Sequence, residues 1–268
     1  KKFDLFLSTE EPELTYANIN LNVSNIDIYL DFISLVRSKP HVNRIIVSTN
    51  EIKIEDFKKL VARVKPSNIK SLILNNTNNG ELKGKLDLSF NKKFILDNYK
   101  INGRVKNVNF NIDDDNKINN TSFNFIADNR LIIINAISAN YKGIIIPNGS
   151  INVEKKDGYI LDGSIGTNIK LNELQIKKIF GKFINLKKQK DKINIIAQLL
   201  NEFKIEFSQS LKLKNYTYNL SGNILDTVIK LNQPFKNKIL MSKVENINFK
   251  KTNIKIKYNK KNENFILL

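Results

Sequence analysis

The sequence predicts a mainly β fold with a few α-helices, and three observations carry that expectation. Apolar and polar residues alternate with a period of two through most of the chain. Turn-forming residues interrupt the alternation at short intervals. One strand type also recurs. "YKINGRV" (99–105), "YILDGSI" (159–165) and "YNLSGNI" (218–224) share a frame of Tyr, any residue, Ile or Leu, a small polar residue, Gly, any residue, and Ile or Val.

From the N-terminal side, "YANINLNV" (16–23) places Ala17, Ile19, Leu21 and Val23 on one face of a strand and asparagines on the other. "NIDIYLDFISLVRSKP" (25–40) has Ile28, Phe32, Leu35 and Val36 at helical spacing and stops at Pro40, which predicts a helix. "IEDFKKLVARVKP" (54–66) predicts a second, with Ile54, Phe57, Leu60, Val61 and Val64 on one face. "GELKGKLDLSF" (80–90) is a strand and a looser fourth copy of the glycine frame, carrying Leu82, Gly84, Leu86, Leu88 and Phe90.

The glycine strands could instead be hairpins with two-residue turns. A turn at Asn102-Gly103 would set Ile101 opposite Arg104 and Lys100 opposite Val105, and the other copies give the same apolar-on-polar pairing. As continuous strands they keep one apolar face: Tyr99, Ile101, Gly103 and Val105; Tyr159, Leu161, Gly163 and Ile165; Tyr218, Leu220, Gly222 and Ile224. Continuous strands are therefore expected. A glycine in mid-strand marks a tight bend or the close approach of another group.

"VNFNI", "TSFNFIA", "ISANYKGII", "INVEK", "INIIAQL", "FKIEF" and "NIKIKY" read as further strands. "DDDN" (113–116) reads as a polar hairpin tip, since a calcium loop starting there would need Gly at 118 and Glu at 124, where Ile and Asn stand. "IIIPNGSINV" (144–153) reads as a hairpin turning at Asn148-Gly149, with Ile146 facing Ile151 and Ile144 facing Val153. "NELQIKKIFGKFINL" predicts a third helix near 172–185. The echo of "RVKNVNF" (104–110) in "KVENINF" (243–249) adds to the repetitive character. These patterns divide the chain into a mixed α/β segment, 1–80, and a repetitive amphipathic β segment, 81–268, with a weak boundary between them.

The net charge is +18, from 44 Lys and Arg against 26 Asp and Glu. Such a charge suits an anionic surface, and it also suits a chain rich in the residues of AT-rich codons, Lys, Asn and Ile. Single-stranded nucleic acid is not the expected partner, because Tyr99, Tyr159 and Tyr218 fall in phase with Ile and Leu rather than in a basic groove. The chain has no cysteine and one histidine, His41, which follows Pro40 in an expected loop. That removes thiolate metal sites and histidine-based triads. No metal, cofactor or small-molecule substrate is expected, and no nucleophile is paired with a base, so the chain does not read as an enzyme. No window approaches a membrane span. The chain opens on "KKFDLFLSTEEPEL", which lacks a signal-peptide core, and closes on "ENFILL", which reads as a strand cut short; a segment of a longer protein is expected.

The repeated "Y-x-[IL]-[NDS]-G-x-[IV]" strand, joined by Asn-rich amphipathic strands from about residue 14 onward, resembles the AsmA-like family. The run "YILDGSIGTNIKLNEL", followed by an amphipathic helix and more strands, is most similar to that family's C-terminal part. The resemblance implies a strongly curved, elongated antiparallel sheet forming an apolar groove. It also implies a non-catalytic role in the periplasm of a Gram-negative envelope, in a protein anchored in the inner membrane, guiding phospholipid toward the outer membrane. The twelve stripe residues named above would then line the groove and meet acyl chains. A closed β-sandwich or barrel has the same alternation, with the apolar face buried against protein. A periplasmic scaffold that binds membrane or envelope proteins during outer-membrane biogenesis is the alternative function.

Overall fold

The structure, a computed structural model, describes residues 4–16, 19–180, 192–235, 243–259 and 264–267. Within these residues the chain forms eighteen strands and four helices. Sixteen strands belong to one antiparallel sheet that does not close into a barrel. The mainly β expectation holds, and the barrel alternative does not. The chain forms two compact units, 1–136 with 152–156, and 137–151 with 157–268. They do not part near residue 80.

The first unit contains β1 (Asp4–Glu10), β2 (Leu14–Tyr16), β3 (Ile19–Leu21), β4 (Val23–Asp31), α1 (Phe32–Val36), β5 (Val42–Thr49), β6 (Ile52–Lys53), α2 (Ile54–Val61), α3 (Asn68–Asn76), β7 (Thr77–Asn78), β8 (Glu81–Phe90), β9 (Leu96–Asn111) and β10 (Lys117–Asp128). Its strand order is β1-β4-β5-β8-β9-β10, with β6 on β8 and β7 on β9. β11 (Leu131–Tyr141) is divided between the units.

Two stretches differ from the sequence reading. "YANINLNV" is not one strand. Leu14 pairs with Leu21 and Tyr16 with Ile19 in a separate ribbon of β2 and β3, while Val23 opens β4 and Ala17 lies outside the described residues. The helix expected over 25–40 is also mostly strand. Ile26, Ile28 and Leu30 carry a period-two stripe, Ile28 alone of them also belongs to the helical set with Phe32, Leu35 and Val36, and β1 and β5 pair with both edges of β4. Only Phe32–Val36 is helical, capped by the Asp31 carboxylate accepting from Ser34 N at 2.9 Å. His41, in the connection that follows, accepts through its carbonyl from Asp31 N at 2.9 Å. α2 forms where expected and buries Ile54 and Val61. α3 has no counterpart in the sequence reading, although Ser67 caps it by accepting from Lys70 N at 3.1 Å.

β9 runs through the first glycine frame without a turn, and "DDDN" is the hairpin tip joining it to β10. The Asp113 carboxylate accepts there from Asp115 N at 2.9 Å and from Asn116 Nδ2. Two bulges follow that alternation does not show. Asn107 (φ 54) and Asn120 (φ 51) take the left-handed conformation, and their N–H groups donate to Ser122 Oγ and Asn109 Oδ1, each at 3.0 Å. The first bulge moves the strand's phase by one residue, so Val105 and Val108, three apart, are both buried, at 7% and 1% exposed. With Ile54 of α2 they form the small core of this unit, flanked by Leu82, Phe110, Phe123 and Phe125. The echo at 243–249 is not equivalent, since Asn246 pairs with Lys230 and does not take the left-handed conformation of Asn107.

The second unit contains the end of β11, β12 (Ile144–Ile146), the start of β13 (Gly149–Lys155), β14 (Tyr159–Leu171), α4 (Glu173–Phe180), β15 (Lys192–Phe207), β16 (Leu213–Phe235), β17 (Val244–Asn259) and β18 (Asn264–Leu267). Its order is β12-β14-β15-β16-β17-β18. The hairpin expected at Asn148-Gly149 is displaced. The chain turns at Lys142-Gly143, where φ is 50° and 93°, so that Tyr141 faces Ile144 and Ala139 faces Ile146. Residues 144–151 then run on between β11 and β14. Pro147 interrupts the ladder, and Asn148 O accepts from Gly166 N at 3.1 Å. Ile144 therefore faces Ile169 rather than Val153. α4 begins with a reciprocal cap, Gln175 N to Asn172 Oδ1 and Asn172 N to Gln175 Oε1, both 3.0 Å. The remainder of the helix expected to 185 lies outside the described residues.

On the polar face of the first unit, Arg44 grips Asp87 with Nε–Oδ1 2.7 Å and Nη2–Oδ2 2.5 Å. The guanidinium hydrogen bonds hold the Asp87 carboxyl below its ordinary value. A carboxyl whose folded pKa is depressed stabilises the fold above its unfolded pKa of about 3.9, and that contribution is lost as pH falls through the folded value. Asp87→Asn should therefore lower the unfolding temperature at pH 7. The gap from the parent chain should narrow below about pH 4. Thermal unfolding at both pH values checks this, and a gap that does not narrow contradicts it.

Candidate functional site

The sheet registers show where the twelve stripe residues stand. In the first unit, Leu7, Ile28, Ile45, Leu88 and Tyr99 form one cross-strand row. Thr9, Ile26, Val47, Leu86, Ile101 and Ala127 form the next. Gly84, Gly103 and Phe125 make a third row, and Leu82, Val105 and Phe123 a fourth. In the second unit the rows include Leu161, Ile205 and Tyr216; Gly163, Phe203, Tyr218 and Tyr258; and Ile165, Asn201, Leu220 and Ile256. Gly222 shares a row with Thr167, Leu199 and Ile254, and Ile224 one with Ile169, Ala197 and Thr252. Tyr159 pairs with Phe207. Each unit thus gathers its copies of the stripe onto one apolar face.

These faces are only partly covered. Of the twelve, only Val105 and Gly163 are buried; the other ten are half-buried. Among the described residues only eleven apolar side chains are buried in all. In the first unit the burial on this face centres on α2, around Val105 and Val108. In the second, α4 touches β14 and β15, and Leu171, Ala197 and Ile176 are buried. Among the described residues the second sheet is the two-stranded β2–β3 ribbon alone, so the large sheet has no second large sheet to make a sandwich with.

The mid-strand glycines have two physical causes, and both are close approaches. A Cβ on Gly103 would stand 2.9 Å from the Phe125 ring and 2.5 Å from Lys83 O, and one on Gly163 would stand 2.7 Å from Phe203 Cε2. Phe125 and Phe203 are the direct cross-strand partners of these glycines. Each ring lies over the bare backbone of its partner, as in the pairing that rescues glycine in a sheet. Gly222 is different. Its φ is 151°, and an added Cβ would collide with the backbone carbonyl of Gln198. Phe125 and Phe203 were in view within "TSFNFIA" and "FKIEF", but strand pairing is needed to set them opposite glycines.

Asn201, with Thr167 beside it, interrupts the apolar rows of the second face. Its Nδ2 donates to Ile165 O at 3.0 Å and Thr167 Oγ1 at 3.2 Å, and its Oδ1 accepts from Tyr218 OH at 2.7 Å. Burial pushes the Tyr218 phenol above its ordinary value, which keeps it a neutral donor. Asn201 falls in phase with Leu199 and Phe203, so an alternation count along β15 exposes it as an anomaly.

The opposite face of the first unit carries a hollow of about 780 Å³. Its lining includes Ser48, Lys83, Lys85, Asn102, Arg104 and Asn124, and Lys83 and Arg104 stand directly across β8 and β9. Gly84, Gly103, Phe125 and Ile126 also line this hollow, as do Glu51 and Glu81, so its lining is mixed and of the twelve expected residues only Gly103 belongs to it. Among the described residues no His, Asp and Glu cluster has metal-holding geometry, and no helix is long and apolar enough to cross a membrane. Comparison with known protein families, with curated proteins and with solved structures finds no match.

Gly163→Val should cost about 1–3 kcal/mol by overpacking against Phe203. Phe203→Leu in the same chain should recover part of that loss. Gly222→Ala should destabilise as well, with no recovery from Leu199→Ala, because its obstacle is backbone. Urea unfolding of the single and double variants checks both, and equal rescue at the two sites contradicts the distinction.

Proposed function

We propose that the apolar faces of the two units hold lipid acyl chains and that the protein is a non-catalytic lipid-binding segment of a bacterial envelope. The single observation that carries this reading is an in-register apolar face in each unit, half-buried along most of its rows. An apolar face that its own protein does not fully cover offers an interaction surface. A methylene taken from water onto it gains about 0.8 kcal/mol, so a chain of several methylenes binds without any specific contact. The half-buried aliphatic and tyrosine side chains supply such a surface, and the Tyr218–Asn201 pair is already satisfied within the sheet.

The AsmA-like strand pattern supports placing this segment in the periplasm, as part of an inner-membrane-anchored protein passing phospholipid toward the outer membrane. An open face suits passage better than an enclosed pocket, because nothing must open to release the lipid. Photo-crosslinking residues in place of Ile101, Leu161 and Leu220 should capture phospholipid in cells of a two-membraned bacterium. Crosslinks to protein alone, at all three positions, would falsify the proposal and favour a scaffold for envelope proteins.

A further inference from the structure

The connections at one end of the first unit present apolar side chains that belong to neither the sheet faces nor the core. α1 joins β4 to β5, and residues 91–95 join β8 to β9. Arg44 pairs with Ser89, so β5 and β8 are neighbours and the two connections emerge at the same end. Phe32, Ile33 and Val36 are exposed on the first, and Phe94 and Ile95 on the second, from 48% to 69%.

The second connection has a fixed shape. Asn91 Oδ1 accepts from Lys93 N at 2.9 Å and Ile95 N at 3.1 Å. Asn91 N donates to Ile95 O at 3.0 Å, and Phe94 N to Asn91 O at 2.9 Å. Phe94 stands at φ 57, a conformation that favours Gly or Asn and is costly for a bulky aromatic. Its ring stacks on Phe90 with centroids 4.7 Å apart, yet the residue is 57% exposed. A strained aromatic held outward by a built turn points to a use for the side chain itself.

The charges around these residues select the partner. Arg37, Lys39, Lys92 and Lys93 are exposed, and none makes an ion pair with a described residue. The nearby carboxylates are mostly engaged. Asp31 caps α1, Asp128 accepts from Arg130 N and Leu131 N, and Asp4 accepts from Asn43. Residues 91–95 hold no acidic side chain, and Asp97, exposed at the start of β9, follows them. We infer that this end of the first unit docks on an anionic lipid bilayer, with Phe94, Ile95 and the α1 side chains entering the headgroup boundary and the four cations meeting lipid phosphates. This surface adjoins the apolar face of the first unit where Phe94 stacks on Phe90, but the inference rests on the exposed connections and their cations and not on that face.

The chain contains no tryptophan, so Phe94→Trp in the full chain is a unique reporter. With vesicles of phosphatidylcholine and phosphatidylglycerol, its emission should shift to the blue and be quenched by brominated acyl chains. Vesicles of phosphatidylcholine alone should give little of either. Lys92→Ala with Lys93→Ala should weaken sedimentation with the anionic vesicles roughly 30-fold, from about 1 kcal/mol per surface lysine. Ile95→Trp serves as a second reporter if circular dichroism shows that Phe94→Trp does not fold. Unquenched emission from both reporters, or vesicle binding unchanged by the lysine substitutions, overturns the inference. So does self-association of the chain that buries the reporter without lipid. Lipid captured on the sheet faces would need neither anionic headgroups nor Lys92 and Lys93, so failure here is distinguishable from failure of the acyl-binding proposal.

Discussion

In-register antiparallel pairing is the constraint on which the rest of this structure depends. With eleven buried apolar side chains among the described residues, each unit has too small a core to dictate where its strands lie. Backbone ladders do that work, aided by cross-strand pairs such as Gly163 with Phe203 and the Arg44–Asp87 grip on the polar face. A slip of one residue would send every apolar stripe to the opposite face. The bulges at Asn107 and Asn120 matter for the same reason. They shift phase locally, bring Val105 and Val108 under α2 together, and leave the long stripes on either side intact.

The same constraint explains how the polar and apolar faces divide the work. Lysines, asparagines and the paired charges alternate onto one side. The stripes alternate onto the other, where they stay half-buried. Glycines on the apolar side admit a phenylalanine ring at Gly103 and Gly163 and a left-handed backbone at Gly222. One sequence frame therefore meets two different structural needs. Asn201 and Tyr218 show how a polar pair can sit on that face without an unmet hydrogen bond.

Much of this was legible in the sequence, because period-two alternation survives wherever a strand has one apolar face. The continuous strand through Asn102-Gly103, the tip at 113–116 and the helices at α2 and α4 all follow from local pattern. The errors also have local causes. Residues 25–31 satisfy helical and strand spacing at once, and only the flanking strands decide between them. Two turn signals lie six residues apart in "YKGIIIPNG", and Lys142-Gly143 closes while Asn148-Gly149 stays extended between its neighbours. The Gly–Phe pairs need tertiary register, which a single sequence does not carry. A face left open and a face buried give identical alternation, so the exposure of the candidate site became visible only in the structure.

Mass spectrometry of the full chain under native conditions, purified from a two-membraned bacterium without added lipid, tests the central claim most directly. The account predicts adducts of phospholipid mass that diminish when Leu161 and Leu220 are replaced by Asp, while circular dichroism still reports strand. A bare mass for the parent chain, or adducts that persist unchanged in the Asp variant, would contradict it.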